Sequence, residues 1–146
     1  MSVVIEDTYH FENPIQVVWD SITLNEILIQ WMADKITGRP KLGGEFSWGW
    51  KFGEEGEFTT HGIYKKIEPL RAITLEWIDH PAGKIVLELE FQETKGGTDL
   101  TIRNLGYPDH SDWVEGAREG WKSQVETLRA FLKKNPNPIP LPRKSS

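Results

Sequence analysis

Between Ser111 and Lys134 the apolar residues return at helical spacing. At ~100° per residue, Trp113, Val114, Ala117, Trp121, Val125, Leu128, Phe131 and Leu132 fall within an arc of roughly 120°. Glu115, Arg118, Glu119, Lys122, Glu126, Arg129 and Lys133 fall outside it. Asp112 followed by Glu115 has the form of a capping box, and Lys133 and Lys134 stand where the helix dipole favours cations. The pattern predicts a long amphipathic helix from about Asp112 to Lys133. Gly120 interrupts it at a cost of ~1 kcal/mol relative to Ala, and a ring packing onto it from elsewhere is the expected reason. Gln124 is the one uncharged polar side chain inside the apolar arc.

The rest of the chain changes period twice. Val3 to Phe11 alternates, with Val3, Ile5, Tyr9 and Phe11 on one face and Asp7 as an anomaly among them. This predicts a half-buried strand. Asn13-Pro14-Ile15-Gln16 opens a helix, with Asn13 as the expected cap and Gln16 reaching back to it. Thr23 with Glu26 forms a second capping box, so two short helices meet near Thr23. After Gly38-Arg39-Pro40 the period becomes two. Phe46, Trp48, Trp50 and Phe52 share one strand face. Gly53-Glu54-Glu55-Gly56 is a turn, Glu57 to Ile67 the next strand, and Gly62 the expected bulge within it. Strands built on Ile73, Leu75 and Trp77, on Ile85 to Phe91, and on Thr98 to Leu105 follow, joined by short turns. The predicted order is strand, two short helices, five strands, long helix. Tight turns imply antiparallel pairing, and the apolar face of such a sheet needs a cover. The long helix is that cover, which makes an α+β domain over residues 1–134. Residues 135–146, N-P-N-P-I-P-L-P-R-K-S-S, form a Pro-rich, basic tail that cannot continue the helix and is expected to be disordered.

Composition narrows the function. The 146 residues suit a single core, and seven tryptophans are many for such a chain. The formal charge is −5; without Lys133, Lys134, Arg143 and Lys144, residues 1–132 carry −9. An acidic body argues against nucleic acid as partner. Without cysteine there is no disulfide, thiolate nucleophile or Cys-based zinc site, which fits the cytoplasm. The start M-S-V-V-I-E-D lacks the basic and apolar regions of a signal peptide, and no apolar run approaches the ~18 residues of a membrane span. His10, His61, His80 and His110 show no metal-binding spacing, and no G-x-S-x-G, Walker or G-x-G-x-x-G pattern occurs. No catalytic residue, metal or cofactor is therefore expected. His10 and His61 fall on the solvent face of their strands, and Glu54, Glu55, Glu88 and Glu90 read as solvated charge.

The motifs F-E-N-P-I-Q-V-V-W-D-S-I-T at 11–23, G-R-P-K-L-G-G-E-F at 38–46, G-I-Y-K-K-I-E-P at 62–69, L-E-W at 75–77, G-G-T-D-L-T-I at 96–102 and E-G-W-K-S-Q-V-E-T-L at 119–128, in this order, carry a family resemblance. The chain resembles the SRPBCC (START/Bet v 1-like) superfamily over roughly residues 3–133. Within it, the chain is similar to the branch of the C-terminal domain of the Hsp90 ATPase activator. The resemblance implies a helix-grip fold: a curved antiparallel sheet wrapped around a long C-terminal helix, with a deep cavity between them. It does not imply one function, since members resemble lipid carriers, hormone receptors, polyketide cyclases and stress-response co-chaperones. Where many relatives carry His in the last strand this chain has Asn104, which removes an acid/base group.

The candidate cavity residues are Trp31 and Met32 near its mouth, Trp48 and Trp50 on the sheet, Trp77, Trp113, Trp121 and Val125 lining or closing it, and Asn104 and Gln124 as polar anchors. Plain core packing is the competing role for the aromatic stripe, and mutual hydrogen bonding the competing role for the polar groups. Three functions remain open. One is binding of an apolar small molecule, such as a lipid or a flavonoid- or polyketide-like polycyclic aromatic. Another is a co-chaperone or protein-interaction module with an Hsp90-type partner. The third is a cyclase- or hydrolase-type enzyme, for which Asp7 is the sole inward acid.

Overall fold

Seven strands make one antiparallel sheet in the order β1-β7-β6-β5-β4-β3-β2, closed on one face by helices. The strands are β1 (Ser2–Phe11), β2 (Lys35–Thr37), β3 (Glu45–Lys51), β4 (Glu57–Glu68), β5 (Ala72–Trp77), β6 (Ile85–Thr94) and β7 (Gly97–Pro108). The helices are α1 (Ile15–Thr23), α2 (Asn25–Trp31) and α3 (Asp112–Lys134). The computed structural model describes residues 2–51, 54, 56–108 and 112–138, with backbone only for Ser2 and Val3. Met1, Phe52, Gly53 and Glu55 of the 53–56 turn, Asp109, His110, Ser111 and the tail from 139 onward lie outside the described residues.

The long helix and the strand alternation follow the sequence pattern. On one face of the sheet, Ile73, Leu75, Ile85, Leu87, Leu89, Leu100 and Ile102 are buried. The register sets Leu75 against Leu87, Leu87 against Asn104 and Leu89 against Ile102, so these side chains form continuous rows. The opposite face carries charge. Arg103 binds Glu6 through Nε and Glu90 through Nη1 at 2.8 Å, with Glu88 at 3.5 Å. Glu88 and Glu90 are therefore members of an ion-pair cluster, not isolated solvated charges.

Several local expectations are corrected. A sixth strand after the helices, β2, was not legible because only Ile36 of its three residues is apolar; it pairs Ile36 with Trp48. Neither short helix is capped by a side chain: Pro14 and Leu24 occupy the cap positions. Asn13 instead gives its carbonyl to Thr98, Gln16 donates to Asp20, and Thr23 donates back to the Trp19 carbonyl at 2.8 Å. Asp112 lies inside α3, where it and Glu115 supply negative charge to the first turn.

The bulge in β4 falls between Tyr64 and Lys66, not at Gly62. Gly62 is required for a different reason. It sits on the inner face between Phe46 and Trp77, and the Phe46 ring lies directly over it. A Cβ there would stand 2.5 Å from Phe46 Cζ. Phe46 in turn packs on Tyr64 at 4.6 Å and on Trp48 and Trp77 at 5.4 Å each. Gly62→Ala should therefore displace the centre of an aromatic cluster and destabilise the fold by about 1–3 kcal/mol, as overpacking of a filled core does. Chemical denaturation of the purified variant measures this; an unchanged midpoint would show that Phe46 can move aside freely.

Candidate functional site

The two halves of α3 differ. Val125, Leu128 and Leu132, in the C-terminal half, are the buried residues of the helix. Arg129 ties the same half to β1, donating to the His10 carbonyl at 2.6 Å and lying 4.8 Å over the Phe11 ring. The N-terminal half has no fully buried side chain among its described residues. Between it and strands β3 to β5 a cavity of about 300 Å³ remains.

Its walls are aromatic. Trp48 and Trp77 meet edge to face at 5.2 Å, and Trp50 stacks against Phe58 at 6.0 Å. Trp50 is oriented by its indole N–H, which donates to the Met32 carbonyl at 2.7 Å, so the end of α2 and β3 are joined at the rim. Ala117, Gly120, Trp121 and Gln124 form the helix side, and Thr60 and Tyr107 complete the lining. Further in, a void of about 20 Å³ continues toward Leu89, Leu100, Val125 and Leu128. Met32, Trp48, Trp121 and Gln124 line both spaces and partition them.

The expected cavity residues distribute as follows. Met32, Trp48, Trp50, Trp77, Trp121 and Gln124 line the larger space. Trp31 and Val125 line the inner void, and Trp31 is held there by an indole hydrogen bond of 2.8 Å to the Ser21 carbonyl. Asn104 lines neither space; it is buried on β7 between Ile5 and Leu87, with its Oδ1 unpartnered. Trp113 lines neither; it is 43% exposed and its ring rests 4.9 Å from that of His80. Asp7 faces Arg118 of α3 at 4.0 Å, away from the cavity. No ring packs on Gly120: a Cβ there would meet nothing within 4 Å. That corrects the packing expected for it, since the missing side chain leaves space on the cavity wall.

Phe58, Thr60 and Tyr107 were not anticipated. Phe58 and Thr60 could have been found from their alternation with Gly62 and Tyr64 along β4. Tyr107 could not, because strand parity from Asn104 places it on the outer face. A register break opposite Val3 and Val4 turns it inward, and Gly106 makes the break with φ +102°. Burial holds the Tyr107 phenol above its usual range. Its hydroxyl lies 3.5 Å from His80 Nε2. His80 Nδ1 accepts the Ala82 backbone N–H at 3.0 Å, which selects the neutral ring with its proton on Nε2. Desolvation lowers the His80 pKa, partly opposed by Asp79. His10 and His61 are exposed on their strands and bind Asp99 and Asp79, each at 2.8 Å. No described residues form a group of three His, Asp or Glu suited to a metal ion, and no described helix is long and apolar enough to cross a membrane.

Residues 12–133 match the family model described as Activator of Hsp90 ATPase homolog 1-like protein. Many solved structures are similar. A protein of unknown function from Staphylococcus aureus superposes with a TM-score of 0.82 at 14% identity, covering 94% of this chain and 98% of its own. An Aeromonas hydrophila protein described as AHSA1-like has a TM-score of 0.75 at 17% identity, covering 99% of this chain and 100% of its own. The Aha1 dimer from Colwellia psychrerythraea has a TM-score of 0.75 at 12% identity, covering 87% and 93%. At these identities the likeness is one of fold: an open antiparallel sheet gripping a long C-terminal helix. No curated protein matches the chain.

Two outcomes follow from the site. Gly120→Ala should raise stability by about 1 kcal/mol through helix propensity alone, because nothing opposes the added methyl; thermal unfolding checks this. A lowered folded pKa means that His80 stabilises the fold above its unfolded value near 6.5 and that this contribution is lost as pH falls through and below it. Melting temperature should thus decline from pH 7.5 to pH 5.5, and His80→Gln should flatten that decline.

Proposed function

The chain belongs to the Activator of Hsp90 ATPase homolog 1-like family, and on that premise we propose that it binds an apolar small molecule between the sheet and the N-terminal half of α3. The observation that carries this is an unfilled space of about 300 Å³ walled by Trp48, Trp50, Trp77 and Trp121. A core stripe would be packed shut, since interiors leave few voids larger than a water molecule. This space is at the small end of the ~300–1,000 Å³ typical of ligand pockets. Polycyclic aromatics of the flavonoid or polyketide kind suit its flat walls, and a lipid would leave part of its chain outside. The proposed binding domain spans residues 1–134, and the proposed setting is the cytoplasm. An acid/base enzyme is a weaker reading, because the cavity lining contains no Asp, Glu, His, Lys or Arg among the described residues.

A second reading is a protein-interaction or co-chaperone role with an Hsp90-type partner. Phe58 is 55% exposed at the rim and Trp113 is exposed on α3, both aromatic groups of the kind interfaces use. Stimulation of an Hsp90 ATPase by the purified protein would favour it.

Burying ~300 Å² of ligand at ~25 cal/mol per Å² gives a gross ~7 kcal/mol, so micromolar affinity is the ceiling once association costs are subtracted. The expected result is saturable quenching of tryptophan fluorescence by flavonoid-like aromatics, weakened about tenfold or more by Trp121→Ala. A panel of aromatics and fatty acids that gives neither saturation nor a shift in melting temperature would reject the reading.

A further inference from the structure

We propose that the cavity selects a neutral ring compound carrying one hydroxyl or carbonyl group, which Gln124 binds at the inner end, and that it rejects the corresponding carboxylate. The inference rests on the small-molecule reading and names the ligand class. Its first support is the charge of the wall. Among the described residues no lining side chain is ionisable at neutral pH, so a carboxylate against them finds no cation and loses its water without compensation. A charge directly behind the wall has the wrong sign. Asp79 accepts from the Thr60 hydroxyl of the lining at 3.2 Å and from His61. Burial acts to raise its carboxyl pKa, but the hydrogen bonds from His61 and Thr60 outweigh it and keep Asp79 ionised. His80, behind Tyr107, is held neutral by the Ala82 N–H.

The second support is the state of the polar groups. The Trp50 indole N–H is spent on Met32, and the Thr60 hydroxyl proton on Asp79. The Gln124 carboxamide has no hydrogen-bond partner among the described residues, and the buried Trp48 indole N–H, a donor only, also lacks one. Gln124 stands at the partition between the outer space and the inner void, half-buried, where the leading end of a ligand arrives. An amide offers both a donor and an acceptor, so it serves a hydroxyl or a carbonyl alike. Gly120 lies one turn earlier on the same wall. Its missing Cβ leaves the helix backbone open to the face of a ring, which fixes the ligand flat beneath α3.

Three compounds on one skeleton test this by calorimetry at pH 7.5: fluorene, 9-fluorenol and fluorene-9-carboxylate. The expected order is fluorenol about 3–10-fold tighter than fluorene, the gain of one hydrogen bond, and at least tenfold tighter than the carboxylate. Gln124→Met, which keeps the length and loses the amide, should equalise fluorenol and fluorene without lowering the melting temperature. Gln124→Arg should recruit the carboxylate. A carboxylate that binds the wild-type protein as well as fluorenol does, or a fluorenol preference that survives Gln124→Met, overturns the selection while leaving the cavity reading in place. Failure of all three to bind overturns both.

Discussion

Everything about the site depends on α3 being buried more deeply at its C-terminal end than at its N-terminal end. Val125, Leu128 and Leu132 fill the space over β1 and β7, and Arg129 closes on the His10 carbonyl and the Phe11 ring. Burial of each such side chain contributes ~1.5–3 kcal/mol, which is enough to fix the helix axis against the sheet. The first three turns are held less deeply: Val114, Ala117 and Trp121 are only partly buried against the core, Trp113 rests on His80 and Arg118 faces Asp7. Their distance from the sheet is set by the C-terminal half, and the cavity is the consequence.

The aromatic residues tolerate that gap because they support one another. Phe46 sits over Gly62 and touches Trp48, Tyr64 and Trp77, so the cavity floor is a rigid cluster with no reliance on the helix above it. Trp50 is held by Met32 and stacks on Phe58 at the rim. A floor stabilised from within the sheet and a roof stabilised mainly from its far end leave the space between them free of structural duty. Apart from Asp7, which faces Arg118, the described ion pairs of the sheet's central strands lie on the other face, where Arg103 gathers Glu6, Glu88 and Glu90, and Glu76 pairs with Lys65 and Lys84. That separation leaves the cavity apolar although the protein as a whole is acidic.

Long periodic segments were legible before any coordinates. The arc through Trp113 and Leu132, and the alternation through Ile85 to Phe91, each repeat often enough for their period to exceed local noise. Short or irregular features were not. β2 has one apolar residue and exists because β3 offers it an edge. The expected caps at Asn13 and Thr23 did not form: only the Asn13 backbone carbonyl is engaged, by Thr98, and the Thr23 hydroxyl turns back within its own helix to the Trp19 carbonyl. Tyr107 needed a backbone break at Gly106 that parity cannot reveal. Asn104 and Trp113 had the right faces but the wrong positions along their elements, since facing inward does not say which part of the interior is empty.

By itself, then, the sequence determined the elements, the apolar face of each, the antiparallel order and the set of tryptophans available to a cavity, because these follow from periodicity and turn chemistry within a few residues of chain. Only the tertiary structure decided which of those tryptophans meet, that Gly120 opens on space instead of carrying a ring, that Gln124 keeps an unspent amide and that no charge among the described residues lines the wall. Those properties belong to pairs of residues up to a hundred positions apart. They are fixed by where a helix buried more deeply at one end leaves the sheet uncovered, a distance that no local pattern encodes.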